Sequence, residues 1–228
     1  MVFRAAIRNH TKVVSLPGLP DSFRMHLITP TEALYTSRVE DNPFPSDGGP
    51  WWAFCWPGSY ALARYMLENP EVMIGRRVFD LASGCGISAM AAVVAGASTV
   101  TANDIDSVSL EATAMNCEQS GVDLAKVTLD ERNWIGSSAE DFVGAGYDVL
   151  LAGDICYDKA LASEVLSWLR SILAYRSHGE GVRVLIGDPG RHALPVESLV
   201  PIARYPLPPL LLDGNVGLTE GIVWELKN

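Results

Sequence analysis

Cysteine is scarce in this chain, basic residues are outnumbered, and long apolar runs are missing. The four cysteines, Cys55, Cys85, Cys117 and Cys156, are scattered and form no C-x-x-C pair. That excludes a disulfide framework or thiolate zinc site as the organising principle and points to reduced thiols in a cytosolic or matrix protein. Lysine and arginine number 17 against 27 aspartates and glutamates, for a formal net charge of −10. A nucleic-acid binder needs a basic face, so no nucleic-acid partner is expected. An acidic surface suits a basic protein segment or a small molecule. No run reaches the roughly 20 apolar residues that cross a bilayer, and no apolar signal core opens the chain, so no membrane role is expected. His10, His26, His178 and His192 show neither metal-ligand spacing nor a nucleophile partner, and no metal is expected.

The 228 residues, 48% hydrophobic, suffice for one large domain, or for one domain with an N-terminal extension. Residues 1–50 are rich in proline and turn residues, notably from Asp41 to Pro50, and are expected to form a cap followed by a loop. Arg4, Arg8 and Lys12, with no acid before Asp21, resemble a mitochondrial presequence, whereas Leu16-Pro17-Gly18-Leu19-Pro20 has the composition of an ordered turn. The cytoplasm of a bacterium is the expected compartment, with the mitochondrial matrix as the alternative. The chain is expected to be a monomer or weak dimer.

Residues 51–228 are expected to form the main domain, where strand-like and helix-like stretches alternate. A helix is predicted from Ser59 to about Glu68, then strands over Arg77–Leu81, Thr99–Ala102, Lys126–Leu129, Tyr147–Ala152 and Val182–Ile186. Helices over about Ile87–Ala95, Ser107–Ser120 and Lys159–Tyr175 lie among them. Such alternation means a doubly wound, Rossmann-like α/β sheet. Leu199–Tyr205 and Gly221–Leu226, with no helix pattern between them, suggest a closing antiparallel hairpin.

Chemistry concentrates where strands end. The first strand runs into Asp80-Leu81-Ala82-Ser83-Gly84-Cys85-Gly86 and a helix follows at once. A strand, a glycine turn and a helix start in succession bring bare N–H groups up to a ligand, and Ser83, Gly84 and Gly86 are candidate cofactor contacts. Glycine turns also occur for packing alone. Asp104, at the end of the second strand, stands about 20 residues beyond the glycines, where dinucleotide folds put a ribose-binding acid. The third glycine of the dinucleotide fingerprint is Ala89 here, a replacement the fingerprint tolerates, so NAD stays open on that count. Its pyrophosphate is poorly matched to Asp80. S-adenosylmethionine carries an ammonium group that Asp80 would welcome, and it is the expected cofactor. Asp130 could accept from the adenine amine or cap a turn, and Trp134 could border the ring or be a core aromatic. Trp56, before Pro57, could wall the methionine end or staple the cap to the core.

The fourth strand runs into Gly153-Asp154-Ile155-Cys156-Tyr157-Asp158, on the edge where open α/β sheets bind ligands. No Asn-Pro-Pro-Tyr motif is present, and an acid in its place suits an amine that arrives as a cation. Lysine, with a reference pKa near 10.4, must lose a proton before it attacks a methyl group. A buried carboxylate at Asp154 could bind and aim it, with Tyr157 walling the channel. The bland alternatives are a helix cap for Asp154 and packing for Tyr157; Asp158 is the better cap for the next helix. Asp188 and Arg191, in Gly187-Asp188-Pro189-Gly190-Arg191, would reach the same edge as substrate contacts, and an Asx-turn ahead of proline is the other reading of Asp188.

With these residues the chain resembles the seven-strand S-adenosylmethionine-dependent methyltransferases, and within them family 16 of the protein methyltransferases. The resemblance rests on Ala6–Thr11, Trp52–Gly58, Ala61–Tyr65, Asp80–Gly86, Ala102–Asp106, Gly153-Asp154 with Tyr157-Asp158, and Ile186–Arg191. It implies a seven-strand sheet with an antiparallel final strand. It implies methylation of lysine ε-amines on a protein, with the electron transfer flavoprotein beta subunit as target and a ribosomal protein as a second. Asp154 and Tyr157 are then the catalytic pair. The match at Ile7–Thr11 also weakens the presequence reading. Two alternatives remain open: an N-methyltransferase acting on a small, nicotinamide-like amine, and a non-catalytic S-adenosylmethionine-binding interaction protein.

Overall fold

A glycine turn can present backbone to a ligand only if the strand before it and the helix after it are both fixed by burial. In the computed structural model, which describes residues 3–45, 49–175, 181–213, 215 and 217–227, burial fixes both. Ser46, Asp47 and Gly48 of the anticipated loop, and His178, lie outside the described residues.

The N-terminal segment is more structured than a cap and loop. It forms a helix, Arg4–His10 (α1), and an antiparallel pair, Lys12–Val14 (β1) with Met25–Leu27 (β2), in which Lys12 faces Leu27. All three residues of β2 are buried. Ile7, Ile28, Leu34 and Phe44 share one core cluster with Trp52 and with Val108, Ala112 and Met115 of a helix in the main sheet domain.

The remaining elements follow the expected alternation. Pro57–Glu68 (α2) precedes Arg77–Leu81 (β3), Ile87–Val94 (α3), Thr99–Asn103 (β4) and Ser107–Ser120 (α4). Then come Val127–Asp130 (β5), Ala139–Gly144 (α5), Val149–Gly153 (β6), Lys159–Ala174 (α6) and Arg183–Asp188 (β7). Leu199–Pro206 (β8), Pro209–Leu212 (α7) and Glu220–Leu226 (β9) close the chain. The sheet has seven strands in the order β5-β4-β3-β6-β7-β9-β8. Strands β3 to β7 pair in parallel, and β9 runs antiparallel to both β7 and β8, so an antiparallel pair closes the sheet as expected, although the short helix α7, which was not expected, lies between its strands.

Alternation along the strands sorts the two faces. Val78, Val100, Val149, Leu151, Leu185 and Val223 turn to a core shared with α2, α3 and β2. Phe79, Leu81, Leu150, Ala152, Val184 and Ile186 turn to the opposite core, built with α5 and α6. Among the described residues no helix is long and apolar enough to cross a membrane.

The strand order reverses between β3 and β6, which puts the switch point there, and both strands deliver their carboxyl ends to it. The N-terminus of α2 is pressed onto the neighbouring strand ends. A Cβ on Gly58 would overlap the Gly187 carbonyl oxygen, and one on Gly187 would overlap that of Gly58. Only glycine permits this backbone-to-backbone approach. Gly58→Ala is therefore expected to cost about 1–3 kcal/mol or more, whereas Gly144→Ala, whose Cβ meets nothing within 4 Å, should stay within about 1 kcal/mol of the parent. Chemical denaturation of both checks this; equal stability of the two variants would remove the close approach as a constraint.

Candidate active site

Gly84 and Gly86 have φ of +55° and +77°, in the left-handed region that glycine enters at no steric cost. A Cβ on Gly86 would lie 2.6 Å from Thr113 Cγ2. The turn is held from behind by α4. Ser109 Oγ and Thr113 Oγ1 donate to the Gly84 carbonyl at 2.9 and 3.1 Å, and Asn116 Nδ2 donates to that of Cys85 at 2.9 Å. These three side chains were not among the sequence candidates. Their signal was there, as polar residues spaced four and three apart on one face of a buried helix. Asn116 Oδ1 also accepts from the His26 backbone N–H at 2.7 Å, so one residue ties the N-terminal pair to the turn.

Asp104 completes the turn. Its Oδ2 accepts from Gly84 N at 3.0 Å and lies 2.7 Å from Ser109 Oγ, whose one proton is shared between this carboxylate and the Gly84 carbonyl, and its Oδ1 accepts from Asp106 N at 3.0 Å. The expected ribose acceptor is thus also a brace, oriented by the turn it would serve.

Asp80 lies at the end of β3 and is 1% exposed. Helix α3 follows Gly86, which has no side chain to cap it, and the Ala89 N–H of its first turn favours the charged form of the Asp80 carboxyl. Oδ2 of Asp80 and Oγ of Ser83 are buried without any hydrogen-bond partner. Burial pushes the Asp80 carboxyl up to about 8; the Ala89 N–H acts against this and the Asp104 charge adds to it. The orphaned oxygen of a buried acid calls for a hydrogen-bond donor, and a cationic donor also offsets the cost of burying its charged form. The ammonium of S-adenosylmethionine supplies one, and a pyrophosphate would not, so these residues fit that cofactor.

Asp130 and Trp134 are brought together, but toward each other. Trp134 Nε1 donates to Asp130 Oδ2 at 2.5 Å, and Arg132 N donates to Asp130 Oδ1 at 3.0 Å, the turn-capping geometry. The indole packs edge-on against Phe79 and Phe142 in the core, with the Arg132 guanidinium 4.1 Å from its centroid. Trp56 precedes α2, where its Nε1 donates to the Trp51 carbonyl at 3.0 Å; its ring contacts Trp51 and Phe54.

Asp154 follows β6 with φ of +53°, a left-handed conformation rare for a residue with a side chain. Its N–H donates to the Gly187 carbonyl at 2.7 Å. The side chain is not free. Oδ2 accepts from Ser59 N, in the first turn of α2, at 2.9 Å, and Oδ1 pairs with Arg191 Nη1 at 2.5 Å. Asp154 does cap a helix, but the helix is α2, whose own N-cap residue Trp56 makes no side-chain cap. Asp158 caps α6 through Ala160 N and Leu161 N. Burial pushes the Asp154 carboxyl up to about 6; Arg191 pulls it down, Asp188 raises it and the Ser59 N–H lowers it.

Asp188 is fully buried. Its Oδ1 accepts from Gly190 N and Arg191 N at 2.8 and 2.7 Å, the Asx-turn arrangement, while Oδ2 has no hydrogen-bond partner and stands 3.5 Å from Arg191 Nη1. Tyr157 lies at the surface, 65% exposed, rather than enclosed beside Asp154.

Comparison with known proteins bears on this site. A family described as lysine methyltransferase matches residues 52–192, from the aromatic segment ahead of α2 to the residue after Arg191. The chain is 42% identical over 223 residues to the electron transfer flavoprotein beta subunit lysine methyltransferase of Danio rerio, covering 96% of this chain and 81% of that protein. Identity to the Homo sapiens protein of the same description is 35%, over 98% of this chain and 82% of the other. The Caenorhabditis elegans homolog is 31% identical, over 97% and 94%. Among solved structures, a ribosomal protein L11 methylase from Lactobacillus delbrueckii subsp. bulgaricus superposes with a TM-score of 0.50 at 21% identity, over 77% of this chain and 81% of that one, a likeness of fold.

The orphaned Asp80 oxygen yields a two-signed expectation. Asp80→Asn should weaken S-adenosylmethionine binding about 10- to 100-fold, the loss of one charge-assisted hydrogen bond, by titration calorimetry. Because the folded-state pKa of Asp80 is raised to about 8, its contribution to cofactor-free stability is fully present below its unfolded-state pKa and is lost as pH rises through about 8. The Asn variant should flatten that decline in thermal unfolding between acid and mildly alkaline pH. Unchanged affinity would remove Asp80 from the cofactor site.

Proposed function

The chain belongs to the lysine methyltransferase family, and on that premise we propose that its protein substrate is the beta subunit of an electron transfer flavoprotein. It is an S-adenosylmethionine-dependent protein-lysine methyltransferase. The observation that carries the substrate is the 42% identity, along 96% of the chain, to a protein described by that activity.

S-adenosylmethionine, when bound, supplies an electrophilic methyl group on a sulfonium. The chain's residues do the rest. Asp80 and Ser83 receive the methionine end, for which they hold unpartnered oxygens. The Gly84–Gly86 backbone lies against the nucleoside, Asp104 takes the ribose hydroxyls with its remaining lone pairs, and Asp130 with Trp134 borders the adenine. Trp56 walls the site ahead of α2. On the neighbouring strand end, Asp154 draws the lysine ammonium in as a cation. The ammonium gives its proton up to solvent, and the surroundings that penalise buried charge favour the neutral amine that is left, which is the nucleophile. Asp154 contributes by aiming this amine along the S–CH₃ axis, and no covalent intermediate on the protein is needed. Tyr157, exposed at the rim, meets the substrate segment that carries the lysine. The acidic chain, with its net charge of −10, favours approach of a lysine-bearing surface. The four cysteines are free and buried, in keeping with a reducing compartment, cytosol or mitochondrial matrix.

Purified enzyme, deuterated S-adenosylmethionine and electron transfer flavoprotein should yield methylated lysines on the beta subunit by mass spectrometry. Asp154→Asn should lower the rate by about 100-fold or more, with cofactor binding retained. An unlabelled beta subunit alongside another labelled protein would overturn the substrate; full activity of the Asn variant would overturn the role of Asp154.

A further inference from the structure

Arg191, Asp154 and Asp188 form a buried cluster with an unbalanced charge. A single nitrogen, Arg191 Nη1, stands 2.5 Å from Asp154 Oδ1 and 3.5 Å from Asp188 Oδ2. The side chains of Arg191, Asp154 and Asp188 are 16%, 6% and 0% exposed. Two carboxylates therefore share one guanidinium. The oxygen left without a hydrogen bond, Asp188 Oδ2, is buried and faces that same guanidinium. Arg191 is also fixed at its base, since its backbone N–H donates to Asp188 Oδ1 at 2.7 Å. The turn that Asp188 Oδ1 holds through the Gly190 and Arg191 amides needs only an acceptor, so the charge of this second acid adds a burial cost that a purely structural ion pair does not need.

We infer that Arg191 is a positioning residue that keeps Asp154 ionised and aimed, while Asp188 leaves the cluster one cation short, so that its missing partner is the ammonium of the incoming lysine. The inference rests on the proposed amine-binding role of Asp154. Arg191 thereby acts through Asp154 and does not itself hold substrate, a change from its sequence reading as a substrate contact.

The groups facing Asp154 come from three segments. The β7 loop contributes Arg191 and Asp188, the segment after β6 contributes the Cys156 thiol, and the start of α2 contributes the Ser59 N–H with the Cys55 thiol just ahead of it. Arg191 is the one cation in this set, and both thiols are held neutral by burial. The direction of each effect follows. Arg191 lowers the Asp154 pKa and Asp188 raises it, against a burial effect that leaves it at about 6. Removing the guanidinium must move the midpoint up, and neutralising Asp188 must move it down.

The test is a carbon-13 titration of protein labelled at aspartate Cγ, without substrate or cofactor, with the Asp154 resonance identified by its loss in Asp154→Asn. Arg191→Met should raise the Asp154 midpoint by about 1–3 units, Arg191→Lys should bring it back toward the parent, and Asp188→Asn should lower it. Midpoints that stay put, or that move in the same direction in Arg191→Met and Asp188→Asn, overturn the inference. Should Arg191→Met fail to fold, Asp188→Asn decides alone, since asparagine keeps the Oδ1 acceptor for the Gly190 and Arg191 amides; a lowered midpoint supports the inference and an unmoved or raised one overturns it. In the methylation assay the acid limb of kcat should shift with the same signs. The titration needs no protein substrate, so a flavoprotein that goes unmethylated leaves it standing, and a flat titration leaves the substrate standing.

Discussion

Helices α2 and α3 begin without a side chain of their own to cap them, and a buried acid from a strand end stands at the start of each. The residue before α3 is Gly86 and the residue before α2 is Trp56; neither satisfies the N–H groups of its helix. Asp154 accepts from the Ser59 N–H, and the Ala89 N–H favours the charged form of Asp80. Both acids sit where a helix N-terminus favours negative charge, which tempers the cost of burying them. Both also keep a demand unmet. Asp80 has an orphaned oxygen, and Asp154 belongs to a cluster with more acid than base. The arrangement that starts the helices is the one that leaves neighbouring strand ends ready for cations.

The scaffold behind these acids is unusually close-packed at the backbone. Gly58 against Gly187 lets α2 reach the strand ends, and the left-handed Gly86 lets the turn clear Thr113. The polar stripe Ser109, Thr113 and Asn116 then fixes the turn's carbonyls, and Asn116 passes the tie on to β2. An N-terminal segment that looks like an appendage in the sequence is thus connected to the cofactor turn through a single amide side chain.

Several elements were legible before any coordinates. The parallel strands are apolar runs, α4 runs from an Asp106 cap to a left-handed Gly121, and α6 starts on Asp158; all are signals within a few residues of one another. The N-terminal elements were not legible. A strand of three residues such as β1 or β2 carries too little periodicity to register; β2 is ordered by burial beside α4, and β1 by pairing with β2. Helix α5 also escaped notice. Its Ser138 cap is local, but its one buried side chain, Phe142, is held by Phe79 and Trp168 from distant segments as well as by the nearby Trp134.

The site divides along the same line. The sequence by itself determined the glycine turn, the acids at the strand ends and the order in which strands and helices alternate, because these depend on residue type and short spacing. Which way those acids point was decided only by the tertiary structure. Asp154 meets Ser59 from 95 residues away and Arg191 from 37, and Asp130 spends its oxygens on Trp134 and the Arg132 amide. Hydrogen bonds and charge balance act through space, and only the packed chain brings their partners together.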